Sequence, residues 1–216
     1  LESPEGDLIA MRFDLTVPFA RMIAQYSVEL GLPFRRYHIG PVFRADKPSP
    51  GRFRQFTQFD IDAAGSESIA VDAEIIAVIS EVMRELGLNN YEDNNKIIQE
   101  FQIRINNRKL VDALLEGCGI EDNQKHKHVL RIIDKLQKVG MENVRKELGE
   151  GRIDDSGDPI PGAGLSSEII DKIVNFISIK VNSRREVIKS LESQLQDSEI
   201  TRIALQEMYE LADALD

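Results

Sequence analysis

The chain has 216 residues, 42% hydrophobic and 30% charged, with a formal net charge of −10. This composition is too apolar for a disordered segment and suffices for one sizeable core or two small ones. The acidic balance disfavours nonspecific nucleic-acid binding as the main activity, although a local basic patch can still meet phosphate, because salt screens remote charges beyond about 10 Å.

One cysteine, Cys118, excludes an internal disulfide, and three scattered histidines argue against a structural zinc site. No run approaches the roughly 18 apolar residues that span a bilayer, and the first residues, LESPEGD, lack the basic and apolar regions of a secretory leader. The expectation is a soluble, cytosolic, cytoplasmic protein without membrane partners.

In chain order, DLIAMRFDLT (7–16) alternates and predicts a strand, with Arg12, Asp14 and Thr16 on one face and Ile9, Met11, Phe13 and Leu15 on an apolar one. A helix follows, with Thr16 placed to cap it, Pro18 in its first turn and Gly31 as its stop. Polar residues thus reach a helix N-terminus, a favourable place for site residues.

Two strands, about 36–45 and 52–63, flank the Pro/Gly loop DKPSPG and predict an antiparallel hairpin. Period two puts Arg52, Arg54, Phe56, Gln58, Asp60 and Asp62 on one face of the second strand. Phe53, Gln55, Thr57, Phe59 and Ile61 form the other face, expected to pack on a core. On the first strand the same parity collects Arg36, His38, Val42, Arg44 and Asp46.

Alternating charge alone is what the solvated face of a half-buried sheet shows. Here the signs are sorted. Six Lys or Arg residues stand between Arg35 and Arg54 against one acid, Asp46, and Asp60 and Asp62 follow further along. Cations beside a mobile loop suit polyphosphate, and acids with an amide suit an ammonium or imidazole. The face reads as a floor for a ligand anionic at one end and cationic at the other.

A long helix, SESIAVDAEIIAVISEVMRELG, comes next, then the polar linker NNYEDNN and FQIRIN, whose alternation suggests another strand. Strands interleaved with helices predict an α/β or α+β domain. Beyond about Asn106 the sequence reads as helices with a long tail from Ser183, and RIDDSGDPIPGAG reads as a loop. Two domains are expected, 1–106 and 107–216, sharing the negative charge about equally. His126 and His128 are splayed by their spacing and are not expected to bind metal. Cys118 reads as an inert thiol, and no glycine-rich dinucleotide or P-loop motif is present.

RYHIGPVFRADKPSPGRFRQFTQFDIDAAG resembles motif 2 of the class II aminoacyl-tRNA synthetases, and MRFDLTVPFAR resembles the segment preceding it in histidyl-tRNA synthetases. FQIRINNRKLVDALL and RIIDKLQKVGMENVRKEL are similar to the same family, so the resemblance runs from Leu8 to at least Leu148. It implies an α+β fold, an antiparallel sheet with flanking helices followed by an all-helical insertion domain. It also implies activation of histidine by ATP, with Mg²⁺ bound through the ATP phosphates, and transfer to tRNA(His), whose acceptor arm the insertion domain approaches.

By the same resemblance, Arg44 holds the ATP α-phosphate and is catalytic. Asp46 meets the adenine edge, Arg52 and Arg54 lie near the phosphates or the acceptor end, and Phe56 stacks on adenine. Asp14, Thr16 and Gln58 receive the histidine α-ammonium, and Asp62 reads the imidazole. Asp46 and Asp62 stand where family members commonly carry glutamate.

The chain shows no counterpart of motif 1, of an RGLDYYTG-like segment, of the motif 3 arginine or of an anticodon-binding domain. The expectation is therefore an internal piece, inactive by itself, of a homodimeric parent. The regulatory subunit of ATP-phosphoribosyltransferase, which shares the catalytic-core fold without charging tRNA, is the alternative. The retained Arg44, Arg52, Arg54 and Phe56 favour the enzyme.

Overall fold

The computed structural model describes residues 4–89, 91–93, 96–98, 101–154, 156–181 and 183–216. The fold is α+β, and the chain divides into two compact units, 1–102 and 103–216.

In the first unit, β1 (Phe34–Phe43) and β2 (Gln55–Ala64) form the expected antiparallel hairpin, each ten residues long. Its register sets Arg36 opposite Asp62, His38 opposite Asp60, Gly40 opposite Gln58 and Val42 opposite Phe56. Side chains of directly opposed residues lie on the same face, so the polar floor spans both strands. Helix α1 (Thr16–Leu30) precedes the hairpin and α2 (Ile69–Glu85), capped by Ser68, follows it. A short antiparallel pair, β3 (Tyr91–Asp93) with β4 (Lys96–Ile98), begins inside the expected linker and ends beyond it.

Three expectations are corrected here. Residues 7–16 are not a strand: apart from an isolated bridge at Leu8 the segment is irregular up to the start of α1, and it meets β1 through a bond from the Phe43 N–H to the Arg12 carbonyl and through side-chain bonds from Arg12 to the Pro41 carbonyl and from Arg36 to the Leu15 carbonyl. Alternation supplied the pattern, but no strand supplies a ladder. Thr16 does not cap α1. The Asp14 carboxylate does, accepting from the Val17 N–H at 3.0 Å. The apolar hairpin face is not a core face in this chain either, since Tyr37 is 73% and Ile39 58% exposed, with Phe53 and Phe59 also open to solvent. The charged face is the more enclosed one, because α1 brings Phe19 onto it.

The second unit is mostly helical: α3 (Arg108–Gly117), α4 (Asn123–Asp134), α5 (Leu136–Leu148), α6 (Ser167–Ile177), α7 (Arg184–Glu192) and α8 (Glu199–Ala214). Their apolar stripes converge on one cluster that includes Leu115, Val129, Ile132, Val144, Leu148, Ile173, Ile188 and Ala204. Asn107, Asp122, Ser166, Ser183 and Ser198 cap five of these helices with their side chains.

Residues 101–107 are irregular and not the strand expected for FQIRIN, and the tail from Ser183 is largely the helices α7 and α8. Most of a small hairpin, β5 (Gly151–Ile153) with β6 (Pro159–Pro161), lies in the expected 152–164 loop. The backbones flanking its open end lie so close together that a Cβ on Gly162 would stand 2.1 Å from the Gly149 carbonyl oxygen. Among the described residues no helix is long and apolar enough to cross a membrane.

Candidate functional site

Two groups of side chains lie along the enclosed face of the hairpin. At the loop end, Arg44 donates from Nε to the Phe13 carbonyl at 3.2 Å, and its guanidinium lies 5.4 Å from the Phe13 ring and 5.1 Å from the Phe56 ring. Two aromatic faces and a carbonyl thus fix the cation. Its terminal nitrogens make no hydrogen bond to a described residue, and an open hollow of about 390 Å³ lies between Met11, Phe43, Arg44, Ala45, Arg54 and Gln55. Asp46 faces Arg52 at 3.6 Å, and Arg54 Nε donates to the Asp46 carbonyl at 3.3 Å. The Asp46 and Arg52 side chains are well exposed, so their pair contributes little to stability.

At the other end the chemistry is acidic. Asp60 accepts from Thr16 Oγ1 at 3.4 Å and from Gln58 Nε2 at 3.3 Å. Arg36 Nη2 stands 2.7 Å from Asp62 Oδ2 and 3.5 Å from Asp60 Oδ2. Burial pushes the Asp62 carboxyl above the usual range; Arg36 opposes this and the like charge of Asp60 adds to it. The 2.7 Å contact is a close ion pair without hydrogen-bond alignment, so Asp62 Oδ2 remains without a hydrogen bond.

Among the described residues, three buried side-chain polar atoms lack a hydrogen bond: Arg36 Nε, Gln58 Oε1 and Asp62 Oδ2. All three belong to this floor. Buried polar atoms are ordinarily satisfied, and a concentration of unsatisfied ones marks a place where a ligand can complete the network. A solvated sheet face would have left them in water.

Of the residues expected at the site, Thr16, Gln58 and Asp62 gather at the acidic end, and Arg44, Asp46, Arg52, Arg54 and Phe56 at the loop end. Asp14 stands beside them with one carboxylate oxygen committed to the start of α1. The sequence placed Arg36 and Asp60 on the floor and Arg12 beside the helix start but gave none of the three a role of its own. Arg12 crosses the floor at Gly40, donating from Nε to the Pro41 carbonyl at 2.7 Å, and a Cβ on Gly40 would meet its Nη2 at 2.7 Å. Parity had placed Arg36 and Asp60 on the floor; the hairpin register, which sets Arg36 opposite Asp62 and diagonal to Asp60, was the missing signal.

In the second unit a hollow of about 190 Å³ lies between residues 118–122 and 164–169. Burial pushes the Cys118 thiol there upward, which disfavours a nucleophilic thiolate.

A family model described as histidyl-tRNA synthetase matches residues 1–216. The histidine–tRNA ligase of Ruegeria sp. strain TM1040 is 40% identical over 205 residues, covering 94% of this chain and 39% of that protein. The crystal structure of histidyl-tRNA synthetase from Nostoc sp. PCC 7120 matches with a TM-score of 0.75 at 31% identity, over 94% of this chain and 42% of that one. A Bacillus halodurans structure described as an ATP phosphoribosyltransferase regulatory subunit/histidyl-tRNA synthetase has a TM-score of 0.72 at 23% identity, a likeness of fold alone. The chain spans about two fifths of the length of the curated relatives it matches. With a family model matched along its whole length and relatives at such identity, the chain belongs to the histidyl-tRNA synthetase family.

Proposed function

We propose that this chain carries the amino-acid-activating floor of a histidine–tRNA ligase, and that the full-length protein joins histidine to ATP as histidyl-adenylate and then transfers it to tRNA(His). The observation that carries the reading is the coincidence of a fixed, open guanidinium at one end of the floor with three unsatisfied buried polar atoms at the other. Polyphosphate suits the first end and a cationic, N–H-rich amino acid the second.

The histidine carboxylate attacks the α-phosphorus, a new P–O bond forms, the bond to the β-phosphate breaks and pyrophosphate leaves. Arg44 stabilises the charge that gathers on the α-phosphate oxygens, and its rigid setting means little reorganisation is needed as that charge develops. Phe56 stacks on adenine and Asp46 accepts from its amino edge, while Arg52 and Arg54 attend the phosphates or the acceptor end. Asp14, Thr16 and Gln58 receive the α-ammonium and Asp62 the imidazole. No covalent enzyme intermediate is required, since orientation and charge stabilisation suffice. Mg²⁺ would accompany ATP and would supply charge neutralisation there, bound chiefly to the nucleotide and not by a cage of residues from this chain.

Residues 1–102 act as part of the catalytic core and 103–216 as the insertion domain. In the latter, Lys127 and Arg131, one turn apart on α4, and Lys138 on α5 are exposed cations suited to the phosphates of a tRNA acceptor arm. The full-length protein is a cytoplasmic homodimer in this reading.

The test is ATP–pyrophosphate exchange by the full-length protein with each of the common amino acids. Exchange with histidine alone, followed by charging of tRNA(His), is expected. A folded protein that binds histidine without exchange would instead be a regulatory paralogue.

A further inference from the structure

Resting on the reading of this floor as the histidine-activating site, we propose that Arg36 is a positioning residue: it holds Asp62 and Asp60 in the geometry and net charge that receive the histidine side chain. Asp60 and Asp62 point to the same face of β2, two residues apart, and are only 17% and 14% exposed. Two carboxylates so placed repel, and without a cation between them one would take up a proton. Arg36 is that cation. One guanidinium against two carboxylates leaves a single negative charge, matched to one N–H-donating or cationic ring.

Arg36 is itself held from several directions. Nη2 donates to the Leu15 carbonyl at 2.7 Å, Nη1 lies 2.9 Å from His38 Nδ1, and the guanidinium plane lies 4.3 Å from the centre of the Phe19 ring. Its side chain is 12% exposed. Because an arginine only donates, His38 presents Nδ1 as an acceptor and carries its proton on Nε2. The start of α1, the first strand and an aromatic face thus fix the fork before a ligand arrives, and the fork fixes Asp62. A lysine offers a point charge and cannot span Asp62, Leu15 and His38 together.

The test compares Arg36→Met, Arg36→Gln and Arg36→Lys with wild type in the full-length protein, reading ATP–pyrophosphate exchange against histidine and ATP separately. Loss of charge-assisted positioning should raise the histidine KM about tenfold to a hundredfold in Arg36→Met and Arg36→Gln. Arg36→Lys should be intermediate and the ATP KM should change less than about twofold. A residue that merely stabilises the fold would lower the melting temperature and degrade both KM values together, and that outcome overturns the proposal. An unchanged histidine KM in variants of a wild type that does exchange overturns the positioning role alone. Absence of exchange in the wild type overturns the underlying reading of the site. Should the uncharged variants fail to fold, the lysine variant decides, since a wild-type histidine KM there is incompatible with positioning by the fork.

Discussion

Each unit encloses a carboxylate against cationic side chains, two for Glu147 and one for Asp62, with opposite results. Glu147 in the second unit is fully buried and has both oxygens occupied, Oε2 by Lys135 at 3.1 Å and Oε1 by Arg152 at 2.8 Å. Burial pushes its carboxyl up, but the two hydrogen-bonded cations outweigh this and hold it below the usual range. Asp62 in the first unit must share one guanidinium with Asp60, and its carboxyl sits above the usual range. A buried carboxylate with both oxygens hydrogen-bonded is an element of structure; one left under-satisfied beside other orphaned atoms is an element of a site. The surroundings agree. Glu147 lies in a unit with a continuous apolar core, whereas the floor lies in a unit whose buried apolar residues include only Leu15, Phe19, Val42 and Ala73 among those described.

The contrast is broken most directly at Glu147. Glu147→Ala strands Arg152 and Lys135 and should cost about 3–5 kcal/mol in denaturant unfolding. A loss below about 1 kcal/mol would remove the distinction between the two carboxylates. Next, Ile173→Ala, at a fully buried position, should cost about 2–5 kcal/mol, whereas Ile39→Ala on the open hairpin face should stay within about 0.5 kcal/mol. Asp14→Ala, which removes the cap of α1, should cost about 1 kcal/mol, read as faster amide exchange in the first turn of that helix. Smallest in stability is Asp62→Asn, which should change unfolding by less than about 1 kcal/mol while raising the histidine KM, because it removes a desolvated charge that the fold disfavours.

Acid sharpens the same comparison. The folded-state value of Glu147 lies below its unfolded value, so its contribution is complete above the ordinary glutamate range and is lost as pH falls through the lowered value. Asp62 has the reverse sign: its penalty is present above the raised value and disappears as pH falls below the ordinary aspartate range. Hydrogen exchange followed from neutral into acidic pH should show α5 and β5 losing protection that Glu147→Gln no longer loses, and β2 showing no loss attributable to Asp62.

The hairpin, its polar floor and the helices of the second unit were legible in the sequence, because period two and period 3.6 are read directly from side-chain type. Which hairpin face would be enclosed was not legible. Phe53, Phe59 and Ile61 looked like core, but exposure depends on what packs there, and in this chain α1 lies on the charged side. Residues 7–16 alternated without a strand to pair with, and β5 and β6 were too short and too rich in proline and glycine to show a period. The role of Arg36 was hidden for another reason. Its partners Leu15, Phe19, Asp60 and Asp62 lie 17 to 26 residues away along the chain, and only the register and the seat of α1 unite them.

The most direct measurement of the central claim is histidine-dependent ATP–pyrophosphate exchange by Arg44→Ala in the full-length protein, at saturating histidine and ATP, with melting temperature as the control for folding. Loss of an electrostatic contact to the α-phosphate predicts a fall in kcat of about a hundredfold to a thousandfold with the melting temperature nearly unchanged. Exchange at the wild-type rate would contradict the account, because the fixed cation between Phe13 and Phe56 would then take no part in the chemistry.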